Sequence, residues 1–189
     1  SNYNYNIKLS SENNDIIIKS KIEDFSFKED LQYYINNNNK INFGFNLIHH
    51  TVSPGIVDAS ESSSFRSQQL QKKFSLENAA YISHEYSPVE NLKINYGLRL
   101  SALSVLGPGE FYTYDMQGNT IDSSVYKRGQ VAKTYINPEP RFSASYQFND
   151  AHSIKASYTR NVQNLHLLSN SASVNPTDLW IASSLNVKP

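Results

Sequence analysis

The chain has 189 residues, enough for one ordinary domain with a core, and its 17 basic and 17 acidic side chains cancel to a formal charge of zero. That balance, with no basic cluster interleaved with aromatics, removes the electrostatic case for nucleic acid. The absence of cysteine excludes a disulfide framework, a Cys-based zinc site and a thiol nucleophile. No apolar run approaches the roughly 18 residues of a membrane-spanning helix, and mean hydropathy is −0.53; a β-barrel stays open to consideration, because lumen-facing polar residues dilute every lipid-facing one.

In chain order, Tyr3, Tyr5, Ile7 and Leu9 alternate with Asn4, Asn6 and Lys8, which predicts a first strand closed by a polar turn at residues 11–15. From 16 to 35 there is no Gly or Pro. Phe25, Phe27, Leu31, Tyr33 and Ile35 share one parity, and Ser26, Lys28, Asp30 and Gln32 the other. Glu29 interrupts the apolar face, so a bulge, or a strand already clear of the membrane, is expected there. Residues 36–39, four asparagines, predict a hairpin turn.

The third strand places Ile41, Phe43, Phe45 and Leu47 opposite Asn42, Gly44 and Asn46 and is expected to end before Pro54 and Gly55, with a long polar loop over 53–71. His49 and His50, adjacent near its end, point to opposite faces and so do not converge on one metal. Phe74, Leu76, Ala80, Ile82 and Tyr86 mark a fourth strand, imperfect at Asn78 and His84. A turn at 87–91 leads to the cleanest alternation in the chain, with Leu92, Ile94, Tyr96, Leu98, Leu100 and Ala102 against Lys93, Asn95, Gly97, Arg99 and Ser101. A long loop is expected from 107 to about 138, then strand six over 141–148, a tight turn at 149–152, and strand seven through Ile154, Ala156 and Tyr158.

Short turns at 36–39, 87–91 and 149–152 thus alternate with much longer excursions, and Tyr33, Tyr34, Phe43, Tyr86, Tyr146 and Phe148 cluster near the short turns like an interfacial girdle. The fold class expected is all-β: an antiparallel up-and-down transmembrane β-barrel segment, about seven strands of a larger barrel, with short periplasmic turns and long extracellular loops. The competing reading is a soluble β-sandwich ligand- or carbohydrate-binding module, which alternating strands also describe.

At Asn95-Tyr96-Gly97-Leu98-Arg99-Leu100-Ser101, at Glu139-Pro140-Arg141-Phe142-Ser143-Ala144, and from Ser153 through Tyr158-Thr159-Arg160-Asn161, the sequence resembles the barrel of TonB-dependent outer-membrane receptors of Bacteroidetes type. His166-Leu167-Leu168-Ser169-Asn170 and Pro176-Thr177-Asp178-Leu179-Trp180-Ile181 extend the similarity into an outer loop. The resemblance implies a plugged barrel of about 22 strands in the bacterial outer membrane. On that reading residues 1–189 are an internal part of the barrel domain, with the plug and closing strands elsewhere. The implied partners are outer-membrane lipid and lipopolysaccharide, a TonB-type energy-coupling complex acting through the plug, a small-molecule or oligomeric ligand, and a surface lipoprotein. The implied role is import of a scarce ligand such as an iron chelate, a glycan or a peptide.

No catalytic, cofactor or metal site is expected. Gly-x-Ser-x-Gly is absent, and Gly107-Pro108-Gly109 lacks the lysine and helix of a phosphate loop. In a barrel, Glu85, Arg99, Glu139, Arg141 and Lys155 face the lumen and the plug. Arg160, on the Tyr158 parity, reaches the headgroup level, where its planar fork matches a lipid phosphate. His166, Asp178 and Trp180 are candidates for a ligand-contacting loop, with Trp180 able to stack on a ring.

Overall fold

The computed structural model describes residues 1–11, 14–59, 68–69, 71–168 and 179–189. Its elements are β1 (Asn2–Ser11), β2 (Asn14–Asn36), β3 (Asn39–Ala59), β4 (Gln68–Gln69), β5 (Lys73–Val89), β6 (Leu92–Leu106), β7 (Gly109–Tyr114), β8 (Thr120–Tyr126), β9 (Val131–Asn149), β10 (His152–Thr159), β11 (Leu165–Leu168) and β12 (Leu179–Ala182). Seven of them form an antiparallel meander in the order β1-β2-β3-β5-β6-β9-β10; β4 adds to β3, and β7–β8 and β11–β12 are separate hairpins. The sheet is all-β and up-and-down, and its two edges do not meet.

The strands outrun the alternation that predicts them. The third strand continues through Pro54 and Gly55 to Ala59, because the register steps so that these two residues stand opposite Ser20 alone. A bulge at that point absorbs a residue that has no N–H to give. Much of the loop expected over 107–138 is the β7–β8 hairpin and the first half of β9, which contains Pro138 and Pro140. The Arg160 N–H donates to the Pro140 carbonyl at 3.1 Å, so residues of this parity aim their backbone groups away from β6. The prolines therefore cost no ladder bond to β6, and β10 ends at the Thr159–Arg141 pair, just before Pro140, the first residue on that side with no N–H to give.

Glu29 needs no bulge. It pairs with Phe45 in unbroken register and stands exposed among Phe27, Leu31 and Phe45 on the apolar face, since a side chain that points out of the pleat leaves the ladder untouched. Tyr34 departs from the girdle: as the partner of Lys40 it lies on the polar face, where its hydroxyl donates to Gln32 Oε1 at 3.0 Å.

Along the row of partners Asn39, Tyr86, Ile94, Ala144 and Ala156, each successive short turn lies further from the row. The stagger is roughly one residue per strand. At about 3.3 Å per residue and 4.8 Å between strands it tilts them by roughly 35–40°, the inclination of a closing barrel. At that tilt the outward stripe from Leu92 to Ala102 rises roughly 26 Å, close to the apolar band of an outer-membrane barrel.

Above Ala102 the outer face becomes mixed: the Ser104 and Thr134 hydroxyls lie 3.0 Å apart in rows that also hold Leu76, Phe74 and Leu106. The inner face becomes apolar, and Ile22, Val52, Leu103 and Val105 are buried there with Phe111 of β7. The Lys73 ammonium lies 4.9 Å from the Phe111 ring centroid, which seats the β7–β8 hairpin on this inner face. The only core among the described residues is therefore on the face opposite the apolar stripe.

Candidate functional site

Below that core, the inner face carries a belt of charge across five strands. Asp24 Oδ1 of β2 is 2.8 Å from His50 Nδ1 of β3, and His50 Nε2 is 3.7 Å from Glu77 Oε2 of β5. Arg99 of β6 bridges Glu77 Oε1 at 3.5 Å and Glu139 Oε1 of β9 at 3.8 Å, and Arg141 reaches Glu139 Oε2 at 3.9 Å. The belt forms because antiparallel register sets Asp24 opposite His50 and Arg99 opposite Glu139, while Glu77 lies diagonal to His50 and is reached by the long Arg99 side chain from four residues along β6.

Glu139 has a side chain only 7% exposed and Glu77 one 15% exposed. Carboxylates so placed need partners, and the belt provides them: the Ser101 hydroxyl donates to Glu139 Oε1 at 2.6 Å, and the Asn164 amide donates to Glu77 Oε2 at 2.7 Å. Asn164 belongs to the segment that follows β10, so this bond ties that segment across the wall. Tyr135 donates to the Ser184 carbonyl at 2.9 Å, and Asn186 donates to the Tyr112 carbonyl of β7 at 2.9 Å, pinning the residues after β12 to the same face. His50 Nε2 and Asn164 Oδ1 are buried with hydrogen-bonding capacity unused.

Nearer the short turns two smaller clusters repeat the design. Glu85 takes Lys40 at 2.9 Å and the Asn42 amide at 2.7 Å, and Asp30 takes Lys28 and the Tyr81 hydroxyl, both at 2.6 Å.

Of the residues singled out from the sequence, Glu85, Arg99, Glu139, Arg141 and Lys155 share this one face by register. Only Arg99, Glu139 and Arg141 are brought together; Glu85 sits with Lys40, and Lys155 stands apart. Arg160 lies one residue past β10 and is exposed. His166 of β11 has Nε2 3.0 Å from the Ser183 hydroxyl. Trp180 is the register partner of Leu167, and Asp178 lies outside the described residues.

Sequence reasoning missed Asp24, Glu77 and Asn164 and weighed His50 only as a metal ligand. Asp24, His50 and Glu77 carried a signal, since each has the parity of the polar face. Asn164 carried none, because its partner is 87 residues away.

The apolar stripe, by contrast, is covered by nothing among the described residues. Phe25 is 77% exposed, Tyr158 60% and Ile82 56%. A sandwich would press a second layer on that stripe, whereas both hairpins here sit on the other side. Residues 1–187 match the family described as TonB dependent receptor-like, beta-barrel. The chain belongs to that family. No curated protein and no solved structure matches the chain. As part of a TonB-dependent receptor barrel, the sheet belongs to a class of receptors and transporters, not of enzymes, and membership implies an outer-membrane setting.

Proposed function

We propose that these strands form one side of the wall of an importer, with the apolar stripe against hydrocarbon and the charge belt facing the lumen. The observation that carries this reading is the uncovered stripe opposite a polar, hydrogen-bonded face. Glu85, Arg99, Glu139, Arg141 and Lys155 then border the plug, whose water-accessible contacts with them are individually weak and can be exchanged as it moves. The plug and the closing strands are supplied by the rest of the receptor, and the energy comes from a TonB-type complex acting on the plug.

The loop that carries His166, Asp178 and Trp180 contributes to capture of a scarce ligand, an iron chelate, a glycan or a peptide, with a surface lipoprotein as a further partner. The Arg160 guanidinium pairs with lipopolysaccharide phosphate at the outer headgroup level, and the chemistry is binding and gating alone.

The test is growth of cells lacking the full-length receptor on each ligand class as sole source of iron, carbon or nitrogen. A defect on one class, cured by the receptor only when the energy-coupling complex is present, supports import. Equal growth on all three, with the protein extractable without detergent, overturns it.

A further inference from the structure

Most cations on the inner face are already matched to a carboxylate: Lys28 to Asp30, Lys40 to Glu85, and Arg99 and Arg141 to Glu139. Lys93 of β6 and Lys155 of β10 are not. They are exposed, and neither makes an ion pair or a hydrogen bond among the described residues. Both are register partners of Ser145 on β9, so they stand in one row on either side of it. The next row is Asn95, Ser143 and Ser157. Over these rows lies a hollow of about 480 Å³, whose single lining carboxylate, Glu85, is taken by Lys40 and Asn42.

We propose that this hollow is a seat for acidic side chains of the plug, the part of the receptor that fills the barrel. The inference deepens the importer reading and rests on its assignment of the polar face to the interior. A docked plug takes away part of the water around two ammoniums that no described carboxylate neutralises, so a guest that carries negative charge complements them. Two flexible four-carbon stems rooted about 10 Å apart can converge on one carboxylate or take two.

A small soluble anion is a poorer occupant. The backbone N–H groups beneath are committed to the sheet, leaving no nest to enclose it, and the hollow is wide and open. Hydroxyls and an amide around the lysines offer a docked domain contacts that are weak one by one, which suits a guest that must be released.

The test is zero-length carbodiimide coupling in the intact full-length receptor, followed by mass spectrometry of the linked peptides. The expected result is amide bonds from Lys93 or Lys155 to Asp or Glu in the plug, lost in K93Q/K155Q. In that variant, limited proteolysis of the plug is expected to run several-fold faster with the barrel still assembled. Links only to carboxylates of the barrel wall, whether Glu85, Glu90 and Asp150 or those of other strands, overturn the seat, as does an absence of links combined with unchanged proteolysis. Protection of the lysines from acetylation by added citrate, with no plug links, also overturns it in favour of a soluble anion. Labelling of both lysines by a lipid-confined reagent would instead defeat the interior assignment itself, so the two failures are distinct.

Discussion

The Tyr81 hydroxyl donates to Asp30 Oδ1 at 2.6 Å although β3 runs between their strands, and it can do so because the residue beneath the ring is Gly44. A Cβ added at Gly44 would lie 2.6 Å from Tyr81 Cε1 and 2.9 Å from its hydroxyl, and would press on the Glu29 carbonyl. Gly44→Ala therefore lifts the ring and breaks the three-strand tie. A loss of about 1–3 kcal/mol is expected, as for overpacking elsewhere, measured as an earlier urea midpoint of the detergent-folded receptor. Tyr81→Phe keeps the ring and loses only the tie, so a midpoint for Gly44→Ala no lower than that of Tyr81→Phe would contradict the steric account.

Arg99 is the hinge of the charge belt, facing Glu77 on one side and Glu139 on the other. Arg99→Leu leaves two largely buried carboxylates short of a cation and is expected to cost about 1–3 kcal/mol. The triple variant with Glu77→Gln and Glu139→Gln should recover part of that loss, because the amides need no counter-charge. Additive losses across the three positions would show that the belt is not coupled.

Asn164 ties the segment after β10 to Glu77. Asn164→Ala should make that segment several-fold more sensitive to added protease while the strands stay resistant, since only one bond to the wall is removed. Equal cleavage of both proteins would mean that the other bonds, from Tyr135 and Asn186, are sufficient alone.

At the tip of the β7–β8 hairpin, Asp115 accepts from the backbone N–H groups of Gln117 and Asn119 and from the Asn119 side-chain amide. The Asn119 bonds, first the amide and then the backbone, hold its pKa below the usual carboxylate value. A lowered folded pKa means that the carboxylate's support of the turn is complete above the ordinary Asp range and is lost as pH falls through the depressed folded value. Hydrogen exchange at Asn119, corrected for intrinsic rates, should accelerate in that acid window. Asp115→Asn should abolish the pH dependence, and a dependence that survives in Asp115→Asn would place its origin elsewhere.

Arg160→Glu should reduce lipopolysaccharide retention and slow membrane assembly if the exposed guanidinium meets headgroup phosphate. Trp180→Ala should weaken capture of whichever ligand class supports growth by about tenfold, the scale of one lost aromatic contact, with assembly unchanged. Normal lipid retention in the first, or normal affinity in the second, would remove that residue from its proposed role.

The strands and their outward faces were legible from Leu92 to Ala102 and along Phe25, Phe27, Phe43 and Phe45, because period-two alternation is a local property of the backbone and needs no partner to be read. Turn chemistry at the asparagines of 36–39 was equally local. Strand ends were not: β3 through Pro54 and β9 through Pro138 are held by neighbours that absorb a bulge or ask for no N–H, and alternation carries no trace of that help. The belt was half visible, since the sequence assigns Arg99 and Glu139 a common polar parity, but only register sets them side by side and brings Glu77 and His50 into reach. Asn164 on Glu77, and two lysines without a counter-charge among the described residues, were decided by the tertiary structure alone. Which charges meet depends on contacts between residues far apart in the chain, and a periodic sequence specifies faces without specifying neighbours.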